Sequence, residues 1–266
     1  MTEAPRISVV CPTFNSATFV AATLETVVEQ VFAPEELIVV DDGSSDDTVQ
    51  EVEAVFSRAR GKFACTLLKN GRRGPGAARN AGILAARGDW IAFLDSDDLW
   101  QPDKLGTMAD AIAHHREQNF FCHNELRIGP DGRESLLNYA ARYRPGRPLF
   151  EQLYYLNMFS TSAVVCERKL LLERGLFDEK LSSAQDYELW LRLSPYIHPF
   201  FVERVLGRYV ERKGNITSGR LYGRMMNEIR IARRHAGGVG IWGRVRRMGR
   251  MFLSYAWQWL QRMRAE

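Results

Sequence analysis

Three carboxylates follow an apolar run in the first half of the chain. Residues 90–94 are mostly apolar and lead directly into Asp95, Asp97 and Asp98. Such a run is typical of a strand buried on both faces, and open α/β sheets bind ligands at the carboxyl ends of their strands. Acids this close repel one another unless a hard divalent cation lies among them, with room left for a substrate phosphate. We favour this metal site over the alternative, an acidic surface turn capping a helix that begins near Pro102.

A glycine-rich segment, residues 70–82, precedes that strand. Its glycines permit close approach of the backbone to a ligand, and the helix that follows offers its N-terminus. The segment lacks the third glycine of a Rossmann fingerprint and the Gly-Lys-Ser/Thr of a P-loop. Arg79 and Asn80 lie about one turn into the helix and are available for polar contacts at the carboxyl edge of the sheet.

Alternating strands and helices must position these groups. Apolar runs at 7–11, 36–40 and 63–69 predict strands, and helical periodicity appears at 17–31 and 46–60. This alternation is typical of a parallel sheet with right-handed crossovers. Further on, residues 135–148 show no clear period and are interpreted as a mobile loop. Asp186 falls in the first turn of a helix, where a carboxylate is stabilised by the helix dipole, so a capping acid is its simplest interpretation.

Composition limits the class of protein. The 266 residues are 45% hydrophobic, enough for one sizeable core. The four cysteines form no Cys-x-x-Cys pair, and Cys11 and Cys166 lie in apolar segments, which predicts buried thiols and no disulfide framework. The N-terminus is too short for a signal peptide and no window is apolar over 18 residues, so no transmembrane span is expected.

The C-terminal tail, residues 216–266, carries most of the positive charge. It holds eleven arginines and two glutamates, a net charge of +9 in a chain of net charge +4, so we assign the positive charge to the tail and not to the catalytic body. Gly237, Gly238 and Gly240 divide it into two helices. On a helical wheel of 241–264, one face holds Ile241, Val245, Met248, Phe252, Tyr255, Ala256, Trp259 and Met263. The opposite face holds Arg246, Arg247, Arg250 and Arg264.

A basic amphipathic helix with Trp and Phe is a candidate for an anionic membrane surface, here through residues 220–264. The alternatives are a helix packed on the body and a helix paired with another subunit. No nucleic acid is expected as a partner, because no reading helix or RNA motif accompanies the charge.

Four segments, in this order, resemble family-2 glycosyltransferases of the GT-A fold. The resemblance covers about residues 5–215 and excludes the tail. It implies an α/β fold, a Rossmann-like and mainly parallel sheet flanked by helices, to which the sequence adds a helical basic tail. The segments are Val9–Asn15, Val39–Thr48, Gly76–Gly82 with Phe93–Asp98, and Gln185–Trp190.

The resemblance implies a role for particular residues. Pro12, Thr13 and Phe14 would line the nucleotide base, and Asp42, with Asp41, would accept a hydrogen bond from it. Asp95 would face the ribose, and Arg79 and Ser96 complete the nucleotide-binding set. Asp97 would coordinate Mg²⁺ or Mn²⁺ on the diphosphate. Asp186 resembles the family's catalytic base, although Gln185 stands before it where the family has Glu.

The function implied is an inverting transfer of a sugar, from a nucleotide-sugar donor with UDP favoured, to a hydroxyl of a glycan or lipid-linked acceptor. Such an enzyme would act in polysaccharide or surface-glycan biosynthesis, in the cytoplasm or peripherally on the inner membrane face. We expect residues 1–110 to bind the donor, 111–215 the acceptor, and 216–266 to form the tail. The alternative is a non-catalytic nucleotide-sugar-binding or scaffold protein of the same fold.

Overall fold

The computed structural model describes residues 4–212 and 221–263, and in these ranges one sheet organises the chain. The predicted class is confirmed, since helices flank a sheet whose first half alternates with them. The strands are β1 (Ile7–Thr13), β2 (Glu36–Asp41), β3 (Ala64–Lys69), β4 (Trp90–Phe93), β5 (Leu99–Trp100), β6 (Phe120–Ile128), β7 (Glu134–Leu137), β8 (Val164–Glu167) and β9 (Pro199–Val210). The helices are α1 (Val20–Val28), α2 (Thr48–Ala59), α3 (Pro75–Ala85), α4 (Lys104–His114), α5 (Leu149–Tyr155), α6 (Arg168–Arg174), α7 (Gln185–Leu193), α8 (Leu221–Arg234) and α9 (Ile241–Met263).

The sheet changes character at β4. Its order is β3-β2-β1-β4-β8-β6-β9-β5, with β7 paired to β6. From β3 to β4 every pair is parallel, as the sequence predicts. Beyond β4 the sheet is mixed, because β8 runs antiparallel to both β4 and β6, whereas β6 and β9 run parallel. The carboxyl ends of β1, β2 and β4 therefore meet at one edge, where the acidic segments follow them.

Apolar side chains cover both faces of the sheet. Neighbouring strand residues point to opposite faces, so Val9 and Val10, both fully buried, belong to different cores. In the core on the α7 side, Trp190 packs edge-to-face against Phe120 and Phe93, with ring centroids 5.1 and 6.1 Å away. This burial fixes α7, and with it Asp186, against the sheet.

Residues 135–148, predicted as a mobile loop, are irregular apart from two short elements, and their mobility stays a prediction. The segment includes the end of β7 and a 3₁₀ turn at Ala140–Arg142. Tyr139 is buried; its backbone N–H donates to Asn124 Oδ1 (2.9 Å) and its hydroxyl donates to Glu125 (2.7 Å). Hydrogen bonds to a distant strand hold Tyr139, and such partners leave no periodicity in the local sequence.

The tail forms two helices, as predicted, joined by a 3₁₀ turn at Ala236–Gly238. The part of it at 216–220 and 264–266 lies outside the described residues. Both helices contact the body: the Tyr154 hydroxyl donates to the Ala232 carbonyl (3.0 Å), and Arg247 Nη1 donates to the Tyr155 carbonyl (3.0 Å). No helix in the described ranges has the length and apolar character needed to cross a bilayer.

The wheel assignment of α9 is wrong in one respect. Arg247, placed on the basic face opposite the apolar one, is buried, and Tyr255, placed on the apolar face, is buried beside it. Residues 247, 251 and 255 form the inner stripe of the helix. Glu228 accounts for the burial of Arg247, because its carboxylate accepts hydrogen bonds from Arg247 Nη2 (2.8 Å) and from the Tyr255 hydroxyl (2.7 Å). A buried charge is tolerated when it is paired in this way.

Candidate active site

A cleft of about 1000 Å³ opens at the carboxyl edge of the sheet. It is bounded by the ends of β1 and β4, the first turns of α3 and α7, and the inner sides of α8 and α9. Of the site residues named from the sequence, nine line this cleft. They are Pro12, Thr13, Phe14, Asp42, Arg79, Asp95, Ser96, Asp97 and Asp186.

Asp41 has a different environment from Asp42. Its carboxylate turns into its own loop, where it accepts hydrogen bonds from the Gly43 and Ser44 N–H groups and from the Ser44 hydroxyl (2.5 Å). Its contact with a base stays a prediction. The Asp42 carboxylate borders the cleft and accepts from Asn70 Nδ2 (2.6 Å) and from the backbone N–H of Gly74 (2.9 Å), where φ is +95°.

The end of the cleft near Asp42 also presents an aromatic ring. Phe14 is 45% exposed, and the Arg72 guanidinium lies 5.4 Å from its ring centroid. A ring with one accessible face can stack on a planar heterocycle, and a fixed carboxylate can accept hydrogen bonds from its N–H groups.

The acidic motif divides between cleft and interior. Asp95 and Asp97 face the cleft, but Asp98 is buried and points away from it, so the expectation that all three carboxylates surround one cation is wrong. The chain turns here, with the Asp98 N–H donating to the Asp95 carbonyl (3.1 Å). The Asp98 carboxylate accepts from the Ser162 hydroxyl (2.6 Å) and from the Val210 N–H (3.2 Å). Asp98 therefore stabilises the turn at residues 95–98 from its buried side.

Arg79 neutralises one of the two carboxylates that the acidic motif presents to the cleft. Its Nη2 lies 2.5 Å from Asp95 Oδ1, and its guanidinium packs 5.5 Å from the centroid of the Phe177 ring. Burial alone would lower the pKa of Arg79, but the ion pair with Asp95 raises it. The arginine therefore remains charged, and the predicted polar contact at the sheet edge is with Asp95.

No side chain in the described part of the chain makes so close a contact with the Asp97 carboxylate. Burial and the charge of Asp95 raise the pKa of Asp97 to about 6, and the nearby Arg212 reduces that shift. Arg212 donates to the Asp97 backbone carbonyl (3.4 Å) rather than to its side chain. A carboxylate whose charge is incompletely balanced fits a divalent cation.

The donor set suits a cation shared with a substrate. Across residues 4–212 and 221–263, no three His, Cys, Asp or Glu side chains gather into a metal site. Asp97 and Asp95 offer two carboxylates, and Mg²⁺ is commonly held by one or two carboxylates together with substrate phosphates and water. The residues present therefore fit a cation that binds with a diphosphate.

Asp186 lies on the wall of the same cleft, in the first turn of α7. The helix begins after Ala184, whose φ of +58° is left-handed and uncommon for a residue with a side chain. Asn157 Nδ2 donates to Asp186 Oδ2 (2.8 Å). Burial raises the pKa of Asp186, although the bond from Asn157 opposes the shift. A fixed carboxylate with a raised pKa is suited to accept a proton.

Not all glycines of residues 70–82 bring the backbone close to the cleft, although the sequence suggests that they do. A Cβ on Gly82 would lie 2.4 Å from a methyl group of Val10, and one on Gly76 would lie 3.3 Å from the Asp178 carbonyl. These two glycines allow α3 to pack against β1 and the segment before α7. Pro75 and Ala78 of α3 do line the cleft.

The tail contributes to the site, contrary to its assignment outside the catalytic body. Arg224, Glu228, Arg247, Arg250 and Tyr255 line the cleft from α8 and α9. Asn157 and Arg212 were also missed. The signal available for the tail was Glu228, the only acid among residues 216–265, placed four residues after Arg224. For Asn157 and Arg212 the local sequence gives no signal.

Comparisons with known proteins identify the family of the chain. The model of the family described as Glycosyl transferase family 2 matches residues 8–178. Amylovoran biosynthesis glycosyltransferase AmsB of Erwinia amylovora is 32% identical over 197 residues, 70% of this chain and 62% of the relative. Succinoglycan biosynthesis protein ExoO of Rhizobium meliloti is 41% identical over 109 residues, 41% of this chain and 30% of the relative. The chain thus spans less than two thirds of the length of these relatives.

Solved structures share the fold. S. aureus TarS 1–349 in complex with UDP-GlcNAc aligns with a TM-score of 0.68 at 24% identity, over 87% of this chain and 65% of that one. The mannosyltransferase PcManGT from Pyrobaculum calidifontis, in complex with GDP-Man and Mn²⁺, aligns with a TM-score of 0.66 at 20% identity, over 96% and 76%. The fold is GT-A, and the chain belongs to glycosyl transferase family 2.

Proposed function

We propose that the protein is an inverting glycosyltransferase. It moves a sugar from a nucleotide-sugar donor, with UDP favoured, to a hydroxyl of a glycan or lipid-linked acceptor in polysaccharide or surface-glycan biosynthesis. The observation that carries the proposal is that Asp97 and Asp186 line one cleft. The names of AmsB and ExoO support the biosynthetic role, and the UDP-GlcNAc complex of TarS supports the choice of donor.

The donor occupies the half of the cleft built by residues 1–110. Phe14, with Pro12 and Thr13, lines the base, Asp42 and Asp41 accept hydrogen bonds from it, and Asp95 with Ser96 faces the ribose. Asp97, with Asp95 beside it, holds Mg²⁺ or Mn²⁺, which when bound offsets negative charge on the diphosphate. Residues 111–215 form the acceptor half, in which Asn157 orients the carboxylate of the catalytic base, Asp186.

Asp186 acts on the acceptor. Its carboxylate takes the proton of the acceptor hydroxyl as that oxygen attacks the anomeric carbon. The bond from the anomeric carbon to the diphosphate breaks, and the electron pair leaves with the diphosphate. One base and no enzymic nucleophile give a single displacement, hence inversion. Burial favours this role because it raises the pKa of Asp186 and so strengthens the base.

The proposal includes a location. The enzyme works in the cytoplasm, peripherally on the inner face of a membrane, where lipid-linked glycan precursors are available. The support for this is the charge of the tail, +9 over residues 216–266, combined with its position beside the acceptor half of the cleft.

A panel of nucleotide sugars tests the proposal. Thermal shift with and without Mn²⁺ should identify one donor whose stabilising effect needs the metal, because a ligand that binds only the folded state raises its stability. The donor found in this way is then incubated with acceptor glycolipids, and the anomeric configuration of the product is read by NMR. A protein that binds the donor but neither hydrolyses nor transfers it would be the non-catalytic alternative.

A further inference from the structure

The outward face of α9 is apolar and uncovered. Trp242, Leu253 and Trp257 are 78%, 72% and 61% exposed, and Phe252, Trp259 and Leu260 are exposed beside them. We call this set the outer face of α9. A monomeric soluble protein rarely leaves a contiguous apolar surface of this kind in water unless it binds something.

Helix α9 contacts the body through a different stripe of side chains. Arg247, Met251 and Tyr255 point inward and are buried. At 100° per residue, Trp242 and Leu253 point roughly opposite to that stripe. Packing against the body therefore does not explain the aromatic residues, and the helix has a second face with no partner in the described chain.

The charges on α9 identify the partner. Residues 241–260 contain four arginines and no acid. Arg247 faces inward, whereas Arg244, Arg246 and Arg250 are exposed. An aromatic and aliphatic face bordered by arginines matches the interfacial layer of an anionic bilayer, where the rings enter the headgroup region and the guanidinium groups meet lipid phosphates. In a two-fold contact with a second copy, these like charges would face one another.

The geometry points to the outer face of α9 as a docking surface for an anionic lipid bilayer. Arg250, exposed on the flank of α9, lines the cleft, so docking of the outer face holds the rim of the cleft within one helix diameter, about 10 Å, of the lipid headgroups. Resting on the proposed function, this assigns the acceptor to the class of lipid-anchored hydroxyl compounds that remain in the bilayer during transfer.

Sedimentation of the full chain with vesicles tests the docking surface. The vesicles contain phosphatidylcholine alone or with about 30% phosphatidylglycerol. The variant combines Trp242→Ser, Leu253→Ser and Trp257→Ser. A matched control combines Val31→Ser, Leu84→Ser and Leu136→Ser, three apolar side chains exposed on other parts of the surface. Circular dichroism melting should show both triple variants folded like the wild type, because all six side chains are exposed.

We expect the wild type and the control to bind the anionic vesicles and to bind neutral vesicles weakly, and the α9 variant to partition at least about ten-fold less into anionic vesicles. Equal partition of the two triple variants, or equal binding to both kinds of vesicle, would overturn the proposal. A dimer in analytical ultracentrifugation that the α9 variant abolishes, without vesicle binding by the wild type, would assign the face to a second copy instead. Mn²⁺-dependent donor binding is measured on the same samples, so a failure of the transferase proposal is seen separately from a failure of docking.

Discussion

The guanidinium of Arg247 lies over the ring of Tyr187, 5.1 Å from its centroid. Tyr187 follows Asp186 in α7, and its hydroxyl donates to the Tyr154 carbonyl (3.1 Å). Arg247 also donates to the Tyr155 carbonyl and to Glu228. One side chain of the last helix thus touches α7, the end of α5 and α8, which makes the tail a wall of the site beside the proposed base.

Replacing Arg247 should separate acceptor use from donor binding. In Arg247→Gln, the carboxylate of Glu228 loses one ion-pair partner but keeps Arg224 and the Tyr255 hydroxyl. Losing this charged hydrogen bond costs about 1.5–3 kcal/mol of local stability. We expect hydrogen exchange in α8 and α9 to increase and the KM for acceptor to rise at least about ten-fold. The donor affinity should be unchanged, since donor contacts come from residues 12–97.

The control for this prediction is Arg246→Gln. Arg246 is the preceding residue and is exposed, with its guanidinium 5.5 Å from the centroid of the Tyr155 ring. It should leave the KM for acceptor within about two-fold, because an exposed cation–π contact contributes about 0.5–1 kcal/mol at most. Equal effects of the two variants on acceptor KM would show that Arg247 has no positioning role.

Asp186→Asn should abolish transfer and preserve donor binding. The amide oxygen of Asn can still accept the hydrogen bond from Asn157, so the local structure is kept, but the amide cannot take a proton. General-base catalysis commonly contributes about 10²–10⁴-fold, and we expect kcat to fall by that factor. Calorimetric titration of donor with Mn²⁺ should give an affinity within about two-fold of wild type.

The control substitution is Asp110→Asn on the outside of α4, which should change neither kcat nor donor affinity. A fall in donor affinity as large as the fall in kcat would contradict the assignment of Asp186 as the base.

Asp97 should make metal-dependent binding sensitive to pH near 6. Burial and Asp95 raise the pKa of Asp97 to about 6, and a divalent cation needs the ionised carboxylate. Donor affinity in Mn²⁺ should therefore fall as pH decreases through about 6, approaching ten-fold per pH unit below it. Titrations between pH 5 and pH 8 would show this dependence, and Asp97→Asn should remove it together with most of the metal requirement.

In the metal-free protein, Asp97 should make folding stability rise as pH falls, whereas metal-dependent donor affinity falls. Because the pKa of Asp97 is raised from its ordinary 3.8, the folded state binds the proton more tightly than the unfolded state. Stability of the metal-free protein should therefore rise as pH falls from about 7 towards 4 through this group. At pH 7, Asp97→Asn should stabilise that protein by about 1–3 kcal/mol, measured by denaturant unfolding. A destabilised variant would contradict the cause assigned to the shift.

Local patterns in the sequence were sufficient to predict the strands and helices whose own apolar residues bury them. The apolar run at 90–94 predicts β4, and the acids that follow a buried strand must emerge at its carboxyl edge, so Asp95 and Asp97 could be placed in advance. The same reasoning could not separate Asp98 from them. Asp98 turns inward because Ser162 and Val210 hold it, and these partners are more than sixty residues away in the chain.

The tail shows the same limit. Periodicity correctly predicts a helix at Ile241–Met263 and an apolar arc along it, but it does not tell which arc the body covers. The choice is made by Glu228 and the Tyr187 ring, which receive Arg247 and leave Trp242 outside. Asn157 likewise has no distinguishing neighbour in the sequence, since its role arises only when α5 and α7 are brought together.

Ser162 links Asp95 to Asp98 on the buried side of the acidic motif, and its loss should weaken the metal site. Its hydroxyl donates to Asp98 (2.6 Å) and accepts from the Asp95 N–H (3.0 Å), while its carbonyl accepts from Lys104 Nζ (2.8 Å). Ser162→Ala leaves the Asp98 carboxylate and the Asp95 N–H short of a partner, at a cost of about 1–3 kcal/mol in unfolding free energy. We expect Mn²⁺-dependent donor affinity to fall about ten-fold as the turn at Asp95–Asp98 loosens.

The matched control is Ser194→Ala, which removes another buried hydroxyl, bonded to the Leu191 carbonyl (2.8 Å) at the end of α7. It should cost comparable stability and leave donor affinity unchanged. Because both variants lose one buried serine, a shared loss of donor affinity would reflect stability alone. A loss confined to Ser162→Ala would show that the cation site depends on a hydroxyl that never touches the cation.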